Sequence, residues 1–254
     1  MIELLKGYTP VLVSLSLVII TFMISRYLKL GLEKELVINT IRSFAQLLLI
    51  GYLLEHIFAF NNVPLFFLVI FIMAIVGGNV ARTRAPNIPK AFYLATFSIL
   101  CGAYISIGLM LLTKVISTDP KYIIPLGGMI VGNSMNGTSL VMERIYSEVR
   151  SNSSRIELAL GFGATSSAAS KFLLKDSIKT GLMPTMNFMK VVGLVQLPGA
   201  MTGMILAGAS PLEAVKIQII VAYMLISGVS ISAAIAALLA RRRFFNKRHQ
   251  LILK

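Results

Sequence analysis

No Gly-x-x-x-x-Gly-Lys-[Ser/Thr] phosphate loop occurs in these 254 residues, so the chain has no means of hydrolysing ATP by itself. Cysteine occurs once, as Cys101, which excludes an intrachain disulfide framework or a thiolate metal cluster. A lone cysteine among apolar neighbours reads as a small packing residue. Histidine occurs twice, and neither His56 nor His249 stands at metal-ligand spacing to another His or Cys. Acidic residues are scarce, ten against 24 Lys and Arg, and none falls inside the long uncharged runs. Intramembrane acid–base or aspartyl chemistry therefore lacks its pair of carboxylates. Charge as a whole is thin at 13%, and a soluble domain of this length would need more polar surface.

What the chain has is apolar length. Hydrophobic residues make up 56% of it, gathered into seven runs at 7–25, 36–54 (broken only by Arg42), 57–81, 91–113, 122–142, 180–212 (broken only by Lys190) and 217–240. Roughly 20 apolar residues in a helix cross the hydrocarbon core. Lipid offers the backbone no partner, so each run should be helical wherever it faces lipid. The expected fold is an all-α polytopic transmembrane helix bundle of seven spans, one membrane domain over residues 1–254 in the plasma (inner) membrane. Run 7–25 lacks a basic n-region and a small-residue cleavage site before the next charged segment, so it reads as a first span rather than a signal peptide.

Basic residues set the expected orientation. Eighteen of the 24 lie in alternate gaps: at 26–34, at 82–90, within 144–179 and after Ala240. Only Lys6, Lys114 and Lys121 lie in the other gaps, while Arg42, Lys190 and Lys216 lie inside or at the edge of runs. The positive-inside rule then places the N-terminus outside and the C-terminus in the cytoplasm, which requires an odd number of spans. The net charge of +14 thus reports topology and contact with anionic membrane lipid, and no nucleic-acid partner is expected.

The fifth and sixth runs differ from the rest. Gly127, Gly128, Gly132 and Gly137 with Pro125, Asn133 and Asn136 crowd the fifth; Gly193, Gln196, Pro198, Gly199 and Gly203 crowd the sixth. Small residues permit close helix approach, and prolines break helices where protein or water can satisfy the backbone. These two spans are expected inside the bundle or along a pathway. The loop at 143–183 reads as a folded cytoplasmic element. Ser154 and Glu157 fit a capping box, Gly161 and Gly163 stop the helix, and Thr165 can cap a second one carrying Phe172, Leu173 and Ile178.

Several polar side chains are candidates for the pathway. Arg42 lies inside the second run with Gln46 one turn on, and a charge in a span marks function unless it snorkels to the interface. Asn133 and Asn136 share a helix face, suited either to interhelical hydrogen bonds or to substrate. Pro198 should free a carbonyl about one turn earlier, near Leu194 or Val195, with Gln196 at hand and Gly199 following. Thirteen methionines could serve a soft ion, but apolar filling explains them as well. No metal ligand is assigned.

Residues Glu157, Ala159 and Gly163 fall at the spacing of the Glu-Ala-Ala…Gly loop of ABC-transporter permeases, without that loop's downstream Ile-x-Leu-Pro. The stretch 191–208 includes Gln196-Leu-Pro-Gly199 and is followed by Pro211 and Lys216-Ile-Gln218. It resembles the FetB-type family of metal-export ABC permeases, which includes the plant aluminium-tolerance permeases. Leu32-Glu-Lys-Glu35, Arg42 with Gln46, the stretch 125–133, Lys175-Asp176 and Arg248-His-Gln-Leu251 extend the resemblance over nearly the whole chain. The resemblance implies a permease paired with a separate ABC ATP-binding subunit. That subunit would carry ATP and magnesium, so no cofactor is expected on this chain. It also implies two permease copies, and coupling to the ATPase through Glu157, Ala159, Gly163, Thr165 and Asp176. Iron is the implied cargo from bacterial members, whereas a nucleotide sugar is connected with the plant branch.

The combined expectation is a transport permease, not an enzyme, exporting a metal ion, iron first, through Arg42, Gln46, Asn133, Asn136, Gln196, Pro198 and Gly199. The rivals are an ATP-independent secondary transporter or channel, which predicts a protonatable residue deep in the bundle, and a lipid-acting membrane enzyme, which lacks its catalytic constellation.

Overall fold

The computed structural model describes residues 2–59, 62–246 and 248–252. Every regular element among them is a helix; pairing of the β type is confined to two isolated bridges, Val192 with Gln196 and Phe245 with Leu251. The chain forms two compact units, residues 1–61 and 62–254.

The first unit is a helical hairpin of α1 (Ile2–Tyr27) and α2 (Glu33–Ala59). Its turn closes as a paired-carbonyl C-cap: Leu30 N donates to Ser25 O at 2.9 Å and Lys29 N to Arg26 O at 3.3 Å, with Lys29 left-handed at φ 54°. The Ser25 hydroxyl donates to Glu33 Oε1 at 2.9 Å, tying the end of one helix to the start of the next. Most described side chains of both helices are exposed and apolar.

The second unit holds α3 (Val63–Thr83), α4 (Ala91–Leu112), α5 (Pro120–Ser151), α6 (Ser153–Gly161), α7 (Ser166–Ala169), α8 (Lys171–Val191), α9 (Gly199–Leu206) and α10 (Pro211–Arg242). Start signals in the sequence account for two long helices. Asp119 accepts from Lys121 N at 2.8 Å with Pro120 at the first position of α5, and Ser210 accepts from Glu213 N at 3.3 Å with Pro211 opening α10. Helix α10 packs along α4, α5 and α8, and α3 packs on α4 and α5. The long helices cross on small residues. At the α5–α8 crossing a Cβ on Gly137 would sit 3.1 Å from Gly181 O and one on Gly181 2.8 Å from Gly137 O, so neither backbone can carry a side chain there.

One core cluster gathers Ala85 and Ile88, Met142, Ile145 and Val149, Ile156, Leu173, and Ala236, Ala240 and Phe244. The α3–α4 connection, the end of α5, the start of α8 and the end of α10 therefore share one end of this unit. The three basic segments of residues 62–254 lie at that end.

Five helices among the described residues are long and apolar enough to cross a membrane: Thr9–Tyr27, Glu33–Phe58, Val63–Thr83, Ala91–Leu112 and Pro211–Arg242. The fifth and sixth expected spans are not among these five. In α5 the glycines and asparagines dilute the apolar length. The sixth run does not form one helix. It divides into the second half of α8, a non-helical stretch at 192–198, and α9. The cytoplasmic reading also changes in detail. Helix α6 begins at Ser153 with no side-chain cap, so Ser154 and Glu157 form no capping box. Asn152, at the cap position, turns its amide back to Glu148 O and Oε2, both at 2.9 Å. Thr165 does cap, accepting from Ala168 N at 3.3 Å, but the helix it starts is only α7. Phe172, Leu173 and Ile178 belong to α8, which continues without interruption into the sixth run.

Candidate functional site

The break in the sixth run is built by backbone geometry. Helix α8 ends at Val191, whose carbonyl accepts from Val195 N at 2.9 Å, Leu194 N at 3.2 Å and Gln196 N at 3.3 Å. Gly193 then takes φ 84°, a conformation costly for a side chain, and its N–H donates to Gln196 O at 3.0 Å. Pro198 sits at the N-cap of α9 in extended conformation, so it follows the break rather than kinking a continuous helix. No backbone amide among the described residues donates to the Leu194 or Val195 carbonyl, the two expected to be freed. Leu194, Val195 and Leu197 are exposed, as is Gln196; Pro198 is half-buried and Gly199 exposed.

Beside the break lies a cavity of about 300 Å³ between α8, α9 and α10, lined by Met189, Gly193, Met201, Gln218 and Tyr223 among mostly apolar groups. Gln218 is 6% exposed, and its Oε1 has no hydrogen-bond partner among the described residues. An amide oxygen buried without a partner is costly, which makes Gln218 the notable polar group of this cavity. Sequence reading quoted Gln218 but gave it no role. The available signal was a lone amide inside an otherwise apolar helix. Gln196, Pro198 and Gly199 do not line the cavity.

The remaining pathway candidates are placed separately. Asn133 is half-buried and spends its Nδ2 on Met129 O of its own helix at 2.8 Å; Asn136 is exposed on the same strip of α5 as Pro125. Arg42 and Gln46 are exposed on α2, in the first unit. Among the described residues no three His, Cys, Asp or Glu come together to hold a metal ion.

The coupling candidates lie on α6, on the turn that follows it and on α8. Ile156 is fully buried and anchors α6, and Arg155 stacks over the Phe172 ring of α8 at 4.6 Å. At the helix end Ala164 N donates to Ala159 O at 3.0 Å and Gly163 N to Leu160 O at 2.9 Å, a C-cap that needs a left-handed residue; Gly163 supplies it at φ 85°. The outer face carries Leu158 and Phe162, one turn apart and 63% and 85% exposed, with Glu157 beside them. Asp176 is exposed on α8. Leu158 and Phe162 carried no assigned role in the sequence, because exposure of an apolar residue in a short helix is not readable from its type.

The C-terminal residues close over this region. Asn246 Oδ1 accepts from Gln250 N at 2.8 Å and Arg248 N at 2.9 Å, drawing residues 248–252 back on 244–246 as a hook. The hook brings His249 Nδ1 to the Ser166 hydroxyl at 2.9 Å, while Arg241 donates to Ser167 Oγ at 3.3 Å.

Comparison with known proteins matches the family model described as "Uncharacterised protein family (UPF0014)" over residues 8–245. The chain is 38% identical over 239 residues to the Escherichia coli K12 protein named "Probable iron export permease protein FetB", covering 94% of this chain and 92% of that protein. It is 37% identical over 251 residues to "Protein ALUMINUM SENSITIVE 3" of Arabidopsis thaliana, covering 99% and 92%. To "UPF0014 membrane protein YjkA" of Bacillus subtilis it is 34% identical over 246 residues, covering 96% and 98%. No solved structure matches. With an all-helical fold, five apolar helices of membrane-crossing length and similarity along nearly its entire length, the chain belongs to the UPF0014 family of membrane proteins.

Proposed function

We propose that this chain is the membrane-spanning subunit of an ABC transporter that exports a metal ion, iron first, using a separate ATP-binding subunit that carries ATP and magnesium. Two copies of the chain form the permease, each crossing the membrane seven times with its N-terminus outside. The fifth crossing is α5, and the sixth is α8 continued through the break into α9. The observation that carries the reading is α6. It is a short helix anchored by Ile156, closed by the Gly163 cap, and presents Leu158 and Phe162 outward at the basic end of the unit. A helix held this way offers an apolar ridge to a partner's groove. The E. coli relative's name supports export of iron as the activity class.

The rival reading, an ATP-independent transporter driven by protons, needs a titratable group deep in the unit. Among the described residues every buried polar side chain is Ser, Thr or Gln. This composition favours an external energy source.

The test is co-purification with an ATP-binding subunit, followed by ATPase stimulation across candidate cargoes. Glu157→Arg and Gly163→Val are expected to lower association or stimulation while the permease still accumulates in membranes. Wild-type stimulation in both variants would remove α6 from the coupling role. For the pathway, Gln196→Leu is expected to lower cargo-stimulated activity and leave basal activity and assembly intact; unchanged stimulation would exclude Gln196 as a cargo contact.

A further inference from the structure

At the end of α10 three separated pieces of chain enclose a cavity of about 320 Å³. Ser166 and Ser167 come from the link between α6 and α8, Arg241 and Arg242 from the last turn of α10, and Asn246 and His249 from the C-terminal hook. Among the described residues no carboxylate lines it. Two guanidiniums therefore share a concave space with no internal counter-charge. The one ion pair among the described residues, Arg144 with Glu148, lies elsewhere.

The cavity is a built feature and not a loose basic surface. Arg241 reaches across to Ser167, donating to its carbonyl at 3.4 Å and its hydroxyl at 3.3 Å. His249 Nδ1 meets the Ser166 hydroxyl at 2.9 Å and accepts from Ser166 N at 3.3 Å. His249 takes a left-handed conformation, φ 58°, inside the turn that Asn246 organises. Arg242 makes no hydrogen bond or ion pair among the described residues, so its donors are free. Basic residues at a helix C-terminus ordinarily satisfy the last carbonyls and the helix dipole. That role accounts for a positive charge in the last turn. It does not account for two hydroxyls and an imidazole gathered around it.

We propose that this cavity binds a phosphate-bearing anion, with the Arg241 and Arg242 guanidiniums and the Ser167 hydroxyl, whose proton is free, as its donors. The planar, forked guanidinium matches phosphoryl oxygens, and charge-assisted hydrogen bonds of this kind are the strong ones. Two sources share this chemistry. One is the headgroup of an anionic lipid, which basic residues at a membrane edge attract. The other is free phosphate. In either case the anion joins the end of α10 and the hook to the segment between α6 and α8. The site uses only residues of this chain and does not depend on the identity of the ATPase or the cargo.

The test uses the full-length chain in lipid nanodiscs. One arm compares phosphatidylcholine discs with discs containing phosphatidic acid, reading the unfolding midpoint and the lipid retained in native mass spectrometry. The second arm titrates inorganic phosphate into phosphatidylcholine discs. Stabilisation in the first arm only identifies the headgroup as the source, and stabilisation in the second identifies free phosphate. Arg242→Gln should weaken binding about tenfold, on the order of one charge-assisted contact. Arg243→Gln, at the same helix end but outside the cavity, should change it less than about twofold, on the order expected of a screened surface charge. Ser167→Ala keeps every charge and should weaken binding severalfold, which reads the site even if Arg242→Gln fails to accumulate. No stabilisation in either arm would overturn the proposal. So would an equal loss in Arg243→Gln, or an unchanged affinity in Ser167→Ala.

Discussion

Gln218 holds a buried oxygen that no described residue satisfies, in a cavity otherwise lined mainly by apolar side chains. Replacing such a group by a similar apolar one removes its desolvation penalty. Gln218→Leu is therefore expected to raise stability by about 1 kcal/mol, measured as a shift in the detergent-unfolding midpoint. A loss of stability instead would mean that water or cargo satisfies the oxygen. Gly181 is the opposite case: its missing Cβ lets the Gly137 carbonyl approach to 2.8 Å of where that atom would lie. Gly181→Val should cost about 1–3 kcal/mol or more, because backbone cannot move aside as a flexible side chain can. The same unfolding assay checks it, and a neutral outcome would mean that α5 and α8 do not cross at these glycines. Sequence reading found the glycines of α5 as a class but could not pair Gly137 with Gly181, because that pairing depends on how two distant helices cross. It passed over Gln218 for a related reason, since a single amide gives no hint of whether a partner faces it.

Helix α6 shows what can be foreseen at the scale of an element. Its end was readable from Gly163, since few residues other than glycine accept φ 85°, and Thr165 capped as its type suggests. Its start was not, because Asn152 is drawn back to Glu148 and the Ser154–Glu157 pattern has no orphan amide to serve. Pro198 marked the sixth run as irregular and was expected to free a carbonyl within a span, yet the chain breaks at Gly193; a proline at an N-cap has no carbonyl to displace. Phe162 is 85% exposed, so Phe162→Asp should leave the fold intact. It is expected to weaken ATPase association about tenfold or more, as loss of a central apolar anchor does. Pull-down at matched permease levels measures this. Unchanged association would mean that the ridge of α6 is not the docking face.

Over the whole molecule, the all-helical class and the five apolar helices followed directly from run length and composition. The two remaining runs were harder to place because polar and small residues that serve helix contacts also erase the hydropathy signal of a span. Topology is therefore the prediction to test at this scale. A cysteine at Ser210, in the α9–α10 turn, is expected to react with an impermeant thiol reagent on intact cells. One at Asn152, at the α5–α6 junction, is expected to react only after permeabilisation. Segment 143–183 carries six Lys and Arg, whereas 209–213 carries none. Equal labelling of both sites from outside would refute the seven-span arrangement. The native Cys101 is replaced beforehand so that only the introduced thiol reports.

Helix α8 runs unbroken from Lys171 to Val191, and Gly181 lies at its midpoint, where it touches α5. Ten residues on either side of that point make two arms of about 15 Å each. The helix thus has its close backbone contact halfway along, with Val141 of α5 beside it, and can be treated as a balanced lever about that point. A rock of about 10° would carry each tip roughly 2.5 Å, and in opposite directions. Movement arriving at Lys171 from α6 and α7 would be reversed in sense before it reaches Gly193. An inward push at one end would pull the break at the other end outward.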